Sequence, residues 1–376
     1  MPTRSSRSIG HEEISDGKLS LARISSLNIH DAHDAYTEST VNYSGANAYF
    51  QSHYWHNRMQ PHHDHHNSSD QSKYFPSDEA NENIYNGRIL QSEYNNEQQM
   101  LRYQGLALVP SPTTHSNWTD LPMIAQNHIP ELERIVSDLF PNEMMHCFWN
   151  PMVRGSAYDI SRDDVQDGSE GISARTPSAN IASLVHIDTD VGAYESLNDF
   201  LGLVENNQIQ SDSSISTFDR SAFMHAIGQE NKRFAVINFW RNTSDDPVES
   251  YPLAILSTRY NEESNAHARA FPDAIPDMDK SKWYLFPEAT KDEVIVFYQY
   301  DRLISQPSDL WHCAISTDSE NAAKDMHRES FDVRMLIVLD EEIEPDVDRY
   351  RPSRTRPILS LDESGCFCDE QAEKRQ

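Results

Sequence analysis

Cysteine is scarce in this chain. Four in 376 residues, Cys147, Cys313, Cys366 and Cys368, are too few and too unevenly spread for a disulfide framework or a paired C-x-x-C zinc site. They read as reduced thiols, and "GCFC" near the C-terminal end, although able to bind a soft metal, reads as part of a tail. Positive charge is short as well: 31 Lys and Arg stand against 60 Asp and Glu, a formal net charge of −29. That balance argues against an electrostatic binder of nucleic acid or of an anionic membrane. The expected partner is a small molecule, and a homo-oligomer is compatible with these features. Long apolar runs are also missing. No stretch is long enough to span a bilayer, and "MPTRSSRSIGHEE" lacks a basic segment followed by an apolar one, which disfavours membrane insertion and secretion. A soluble cytoplasmic protein is the expectation.

What the chain does contain divides it into three parts. Residues 1–97 are polar, rich in His, Asn, Ser and Tyr, with no sustained helical or strand period, and read as an extension without a core of its own. Residues 98–345 carry the periodicity of a folded domain. "LRYQGLALV" reads as a short strand, and "PELERIVSDLF" as a helix with Leu132, Ile135, Val136 and Leu139 on one stripe. "IASLVHID" reads as a strand, and "YESLNDFLGLVE" as a helix bearing Tyr194, Leu197, Leu201 and Val204. Six short β-like runs follow: "RFAVINFW", "YPLAILST", "KWYLFP", "DEVIVFYQY", "DLWHCAI" and "SFDVRMLIVL". This succession predicts a mainly β fold with flanking helices, a jelly-roll or double-stranded β-helix of the cupin type. Residues 346–376 return to charge, Pro and Ser, and predict a flexible tail.

Two stretches space His and Asp for a metal. "HHDHH", His62 to His66, lies in the polar extension with no apolar strand to fix its side chains; such a tract binds metals loosely, whereas a catalytic centre needs rigid support. "SLVHIDTD" ends a strand. There His186 and Asp188 project from the same face and can share one ion. A distant His would complete the two-His, one-carboxylate triad that binds non-heme Fe(II) and leaves positions open. His312 in "LWHCAI" is the candidate, with a hydrogen-bonded core histidine as the alternative. Sixteen residues on, Arg328-x-Ser330 offers a planar fork and a hydroxyl on one face, suited to a carboxylate.

This ordered set resembles the Fe(II)/2-oxoglutarate-dependent dioxygenase superfamily, whose fold is the double-stranded β-helix. More narrowly, "VHID", "INFWR", "YPLAILS", "KWYLFP", "DEVIVFYQYD", "WHCA" and "RESFDVR" are similar to the successive signatures of the fungal hydroxylase/desaturase family of secondary metabolism. That family has gibberellin-desaturase-like, cephamycin-methoxylase-component-like and meroterpenoid-endoperoxidase-like members. The likeness runs over roughly Leu101 to Leu339. It departs at Asn242, where the pattern has Pro after "WR", and at Thr258 and Arg259 after "PLAILS"; the polar extension has no counterpart.

The resemblance implies that His186, Asp188 and His312 hold Fe(II) and that Arg328 and Ser330 anchor the distal carboxylate of 2-oxoglutarate. With O2, such a centre oxidises an unactivated C–H bond of a small secondary-metabolite precursor or modified amino acid, by hydroxylation, desaturation or oxidative ring formation. Arg334 competes with Arg328 as the anchor, because Arg328, Ser330, Asp332 and Arg334 alternate onto one strand face. Arg241 is open between a substrate carboxylate, support of the iron site and a structural salt bridge. Tyr284, with Trp283, belongs to an aromatic run that reads as core packing or substrate contact, and Trp240 reads likewise. Arg175, in the loop before the first ligand strand, either reaches the mouth or stays solvated. Two other functions use the same triad: an iron oxidase that needs no 2-oxoglutarate, and a non-catalytic metal-binding cupin-like protein.

Overall fold

A computed structural model describes residues 37–42, 79–155, 178–179, 181–188, 197–210, 218–229, 231–258, 281–303, 310–316, 328–343, 359–361 and 367–369. "HHDHH" and Arg175 lie outside them. The six expected strand runs all form strands: β7 (Lys232–Asn242), β8 (Leu253–Thr258), β9 (Ser281–Leu285), β10 (Glu293–Asp301), β11 (His312–Ala314) and β12 (Ser330–Glu342). Upstream lie β1 (Thr37–Asn42), β2 (Glu79–Asn86), β3 (Leu106–Pro110), β4 (Glu143–Arg154), β5 (Ser178–Ala179) and β6 (Gln208–Ile209). They build a five-stranded sheet, β1-β2-β9-β8-β11, and a seven-stranded sheet, β3-β10-β7-β12-β4-β5, with β6 beside β4. The fold is the expected jelly-roll with flanking helices.

Strand alternation explains why β12 can be buried along most of its length. Phe331, Val333, Met335, Ile337 and Leu339 join one apolar cluster with the helix α3 (Ile129–Leu139), including its stripe of Leu132, Ile135, Val136 and Leu139. The opposite face presents Leu336 and Val338 to α4 (Leu197–Asn206) and α5 (Arg220–Gly228). It is also the face that leaves Ser330, Asp332 and Arg334 for the site.

Three expectations need correction. The domain begins before residue 98: β1 and β2 pair with each other, and β2 joins β9 in parallel at Ile84↔Trp283. Val41 and Ile84 are fully buried in the core of the small sheet, and α1 (Gly87–Ser92) and α2 (Glu97–Gln104) follow. Single apolar residues among polar ones are too sparse to register as a period. We therefore expect deletion of residues 1–97 to destabilise the protein by several kcal/mol, since it exposes the apolar face that Ile84 covers; urea denaturation of the truncated chain against the full chain measures it.

The second correction concerns "LRYQGLALV". Its first residues end α2, and Gly105, at φ 77, caps that helix by donating to the Leu101 carbonyl before β3 begins. The third is β4, "EMMHCFWNPMVR", a strand that the periodicity does not announce. Asn150, at φ 54, and Pro151 interrupt its pattern, and the register against β12 shifts between Asp332 and Arg334 to accommodate them. A bulge is where an interior strand tolerates a residue without an N–H. In the expected tail, Leu359–Leu361 (β13) and Phe367–Asp369 (β14) pair antiparallel; the rest lies outside the described residues.

Behind the large sheet sits a buried polar network. Glu131 accepts from Thr113 Oγ1 at 2.8 Å, shares a hydrogen bond with His128 Nδ1 at 3.1 Å and faces Arg241 at 3.4 Å. Burial pulls His128 down to about 3, against the opposing pull of Glu131. The unfolded chain thus takes up a proton near pH 6.5 that the folded chain refuses until about pH 3. Stability is fully present above about pH 6.5 and should fall by about 1.4 kcal/mol per pH unit below it. Guanidinium titrations at about pH 7 and pH 5 should show this slope, and His128→Gln should flatten it.

Candidate metal centre

The sequence predicts a regular strand for His186 and Asp188, but they lie on a segment that bridges the free edge of β11. His186 and His312 exchange backbone N–H···O bonds of 3.0 Å each, and Ala314 N donates to Ala182 O at 2.7 Å. This pairing puts the two rings 4.3 Å apart between centroids. Each ring then hydrogen-bonds a backbone carbonyl two residues earlier: His186 Nδ1 meets Leu184 O at 2.7 Å, and His312 Nδ1 meets Leu310 O at 3.1 Å. With Nδ1 as donor, each Nε2 carries its lone pair toward the carboxylate. Asp188 completes the group, its Oδ1 3.5 Å from His186 Nε2 and its Oδ2 3.3 Å from His312 Nε2. One ligand atom from each of the three lies within 4.8 Å of the others.

The carboxylate is oriented by residues far away in the chain. Asn238 Nδ2 donates to Oδ2 at 2.7 Å, Arg334 pairs with Oδ1 at 2.9 Å, and the Asp188 N–H donates to Gln299 Oε1 at 2.7 Å. Burial alone would push the Asp188 carboxyl up, yet the Arg334 charge and the two histidines hold it well below the usual carboxylate range. Burial and the neighbouring His186 keep His312 below the ordinary imidazole value, against the pull of Asp188. Two imidazoles and one carboxylate, each already braced, suit a divalent first-row metal.

A narrow cavity runs from these residues past Trp240, Asp332 and Arg154 to Arg328. Arg328 is 5 % exposed. It donates to Tyr251 O, approaches Ser330 Oγ at 3.4 Å and lies 5.4 Å from the centre of the Trp240 ring. Among the described residues no carboxylate ion-pairs with it, and its Nε has no acceptor. Burial and the charge of Arg154 bring it down to about 9, with Asp332 offsetting part of the shift. Gly155 makes its backbone position accessible: at φ 154, an added Cβ would lie 2.8 Å from Arg328 O.

The remaining expected site residues are dispersed. Arg334, on the face anticipated, is committed to Asp188 and lies 5.4 Å from the centre of the Trp149 ring. Arg241 points to the other side of β7, where Ser111 O, Ser111 Oγ, Lys291 O and Glu131 hold it, away from the His-Asp-His cluster. Tyr284 is 1 % exposed in the apolar core beside Tyr85, which corrects its reading as a substrate contact. Trp240, by contrast, faces the cavity. Cys147 and Cys313 are buried free thiols, both pushed up to about 12 by burial. Asn242 fixes its own turn, donating to Asp246 O and accepting from Ser244 N and Oγ.

Sequence reasoning misses Asn238, Gln299, Asp332 and Arg154 as parts of the site. The first three carry a signal: a lone polar side chain inside an apolar strand needs a buried partner. Arg154 carries none, because β4 itself is not legible as a strand.

Residues 48–338 match the family described as the oxidoreductase/YMDC permease-like domain (YDMC). The chain belongs to that family, and the oxidoreductase half of the description agrees with a metal-ligand cluster. No described helix is long and apolar enough to cross a membrane. Among curated proteins nothing matches. Similar solved structures include an iron and alpha-ketoglutarate-dependent endoperoxidase NvfI, at 16 % identity and a TM-score of 0.44 over 69 % of this chain and 86 % of that one. A second is a single-substitution variant of that enzyme, also at 16 % and 0.44, over 69 % and 83 %. A third, of the same enzyme in a different conformation, gives 17 % and 0.43 over 69 % and 83 %.

Proposed function

We propose that this protein is a non-heme Fe(II)- and 2-oxoglutarate-dependent oxygenase that oxidises an unactivated C–H bond of a small molecule. The observation that carries the reading is one cavity holding both a braced His-Asp-His cluster and, at its far end, a buried arginine with no carboxylate partner among the described residues. The residues fit both groups. His186, Asp188 and His312 would hold the metal, and Arg328 with Ser330 would hold the distal carboxylate of the oxo acid. Bound iron, with 2-oxoglutarate and O2, supplies C–H oxidation coupled to release of succinate and CO2.

The chain's own part is orientation and exclusion of water. Asn238, Gln299 and Arg334 keep Asp188 aimed at the metal position, and the Leu184 and Leu310 carbonyls hold both imidazoles in one tautomer. Beside His186 a second cavity of about 530 Å3, lined by Ile181, Ala182, Ser183, Leu184, Ile187 and Trp311, offers apolar room for the substrate. Its size is that of a drug-sized ligand site. The likeness to secondary-metabolism enzymes supports the same substrate class, and a cytoplasmic location suits the ferrous and thiol chemistry.

Anaerobic addition of Fe(II) and then 2-oxoglutarate tests the proposal. A visible charge-transfer band should appear on the second addition only. Iron binding without that band would favour the oxidase that needs no 2-oxoglutarate, or the non-catalytic metal binder. Substrate-dependent succinate release separates turnover from binding.

A further inference from the structure

Asp332 is 3 % exposed and lines the cavity between the metal cluster and Arg328. Its Oδ2 takes a 2.6 Å bond from Arg154 Nε, while its Oδ1 is buried and has no donor among the described residues. On β12 it stands two residues from Arg334, which holds Asp188, and two from Ser330, so it lies beside the path between the two ends of the site. A buried carboxylate is costly there unless it is neutralised, and Arg154 neutralises it. The cavity thus contains two guanidinium groups, of which Asp332 occupies one.

We propose that Asp332 is a specificity-determining residue of the anion pocket. By engaging Arg154 and adding its own negative charge to the cavity lining, it confines anion binding to the Arg328 end, which takes a single carboxylate. Ligands that place negative charge beside Arg154 are repelled. Identification of the favoured ligand as a 2-oxo acid rests on the proposed function; the charge restriction itself does not.

The test uses the full chain under anaerobic conditions, with inorganic sulfate and N-oxalylglycine, an unreactive 2-oxoglutarate analogue, titrated calorimetrically with Mn(II) present. Asp332→Asn should bind sulfate at least tenfold more tightly than the parent, and Asp332→Glu should not. Adding Arg154→Gln to Asp332→Asn should remove the gain, because the gain belongs to Arg154. A general structural loss would instead weaken both ligands in every variant. Equal sulfate affinity in the parent and Asp332→Asn, with circular dichroism showing both folded, overturns the inference. Should Asp332→Asn not fold, Asp332→Ala takes its place: a sulfate affinity equal to the parent's overturns the inference, and a gain of at least tenfold that Arg154→Gln abolishes supports it. If the parent binds no N-oxalylglycine while Asp332→Asn still gains sulfate, the cosubstrate reading fails and the role of Asp332 stands.

Discussion

His312→Ala should lose stoichiometric Fe(II) and reduce turnover to near background at any cosubstrate concentration. His312 does two jobs through two parts of the residue. Its side chain supplies one of three candidate ligand atoms, while its backbone exchanges two hydrogen bonds with His186 and so sets the ring separation. Alanine retains the backbone pairing and removes only the ring. The expected defect is therefore a lost metal position in a folded chain, since two remaining ligands do not define an octahedral face. Iron analysis after gel filtration, with circular dichroism alongside, checks both halves. Stoichiometric iron retained in folded His312→Ala would remove His312 from the ligand set. Comparable loss is not expected for Arg334→Ala, which removes a partner of Asp188 rather than a ligand; by analogy with other outer-shell changes, metal affinity there should fall about 10- to 100-fold.

Arg328→Ala should fail differently. All three candidate ligands stay in place, so iron should remain bound. What disappears is the buried cation facing the cavity, and with it charge-assisted hydrogen bonds that contribute about 1.5 to 3 kcal/mol each. The apparent KM for 2-oxoglutarate should rise on the order of ten- to a hundredfold or more. Arg328→Lys should recover only part of this, because a point charge cannot reproduce the fork. Succinate production across a cosubstrate titration measures the effect. An unchanged KM in Arg328→Ala, with the increase in Arg154→Ala instead, would move the anchor across the cavity to Arg154.

Much of the architecture is legible in the residues alone. Short apolar strands with brief connections read clearly, because β-sheets buried on both faces leave near-continuous apolar runs. β8 through β12 are of this kind. The stripe of α3 is equally clear. β1, β2 and β4 are not: their apolar residues are isolated, or interrupted at Asn150 and Pro151, and they are strands because partners in the sheets make them so.

At the site the same division holds. Local spacing places His186 with Asp188 and Arg328 with Ser330, since residues two apart on extended chain share a face. Which distant residues those faces meet is a matter of sheet order, and no local period encodes it. β11 lying at an edge brings His312 to His186 from far along the chain; the β7 to β12 pairing puts Asn238 opposite Arg334, both on Asp188. The same order sends Arg241 to the far side of its strand, into the Glu131 network, and brings Arg154 to Asp332. The sequence by itself determined the candidate metal ligands and which face of each strand they share. The tertiary structure decided which of them meet, because long-range pairing, and with it burial, alone makes a neighbouring charge a partner.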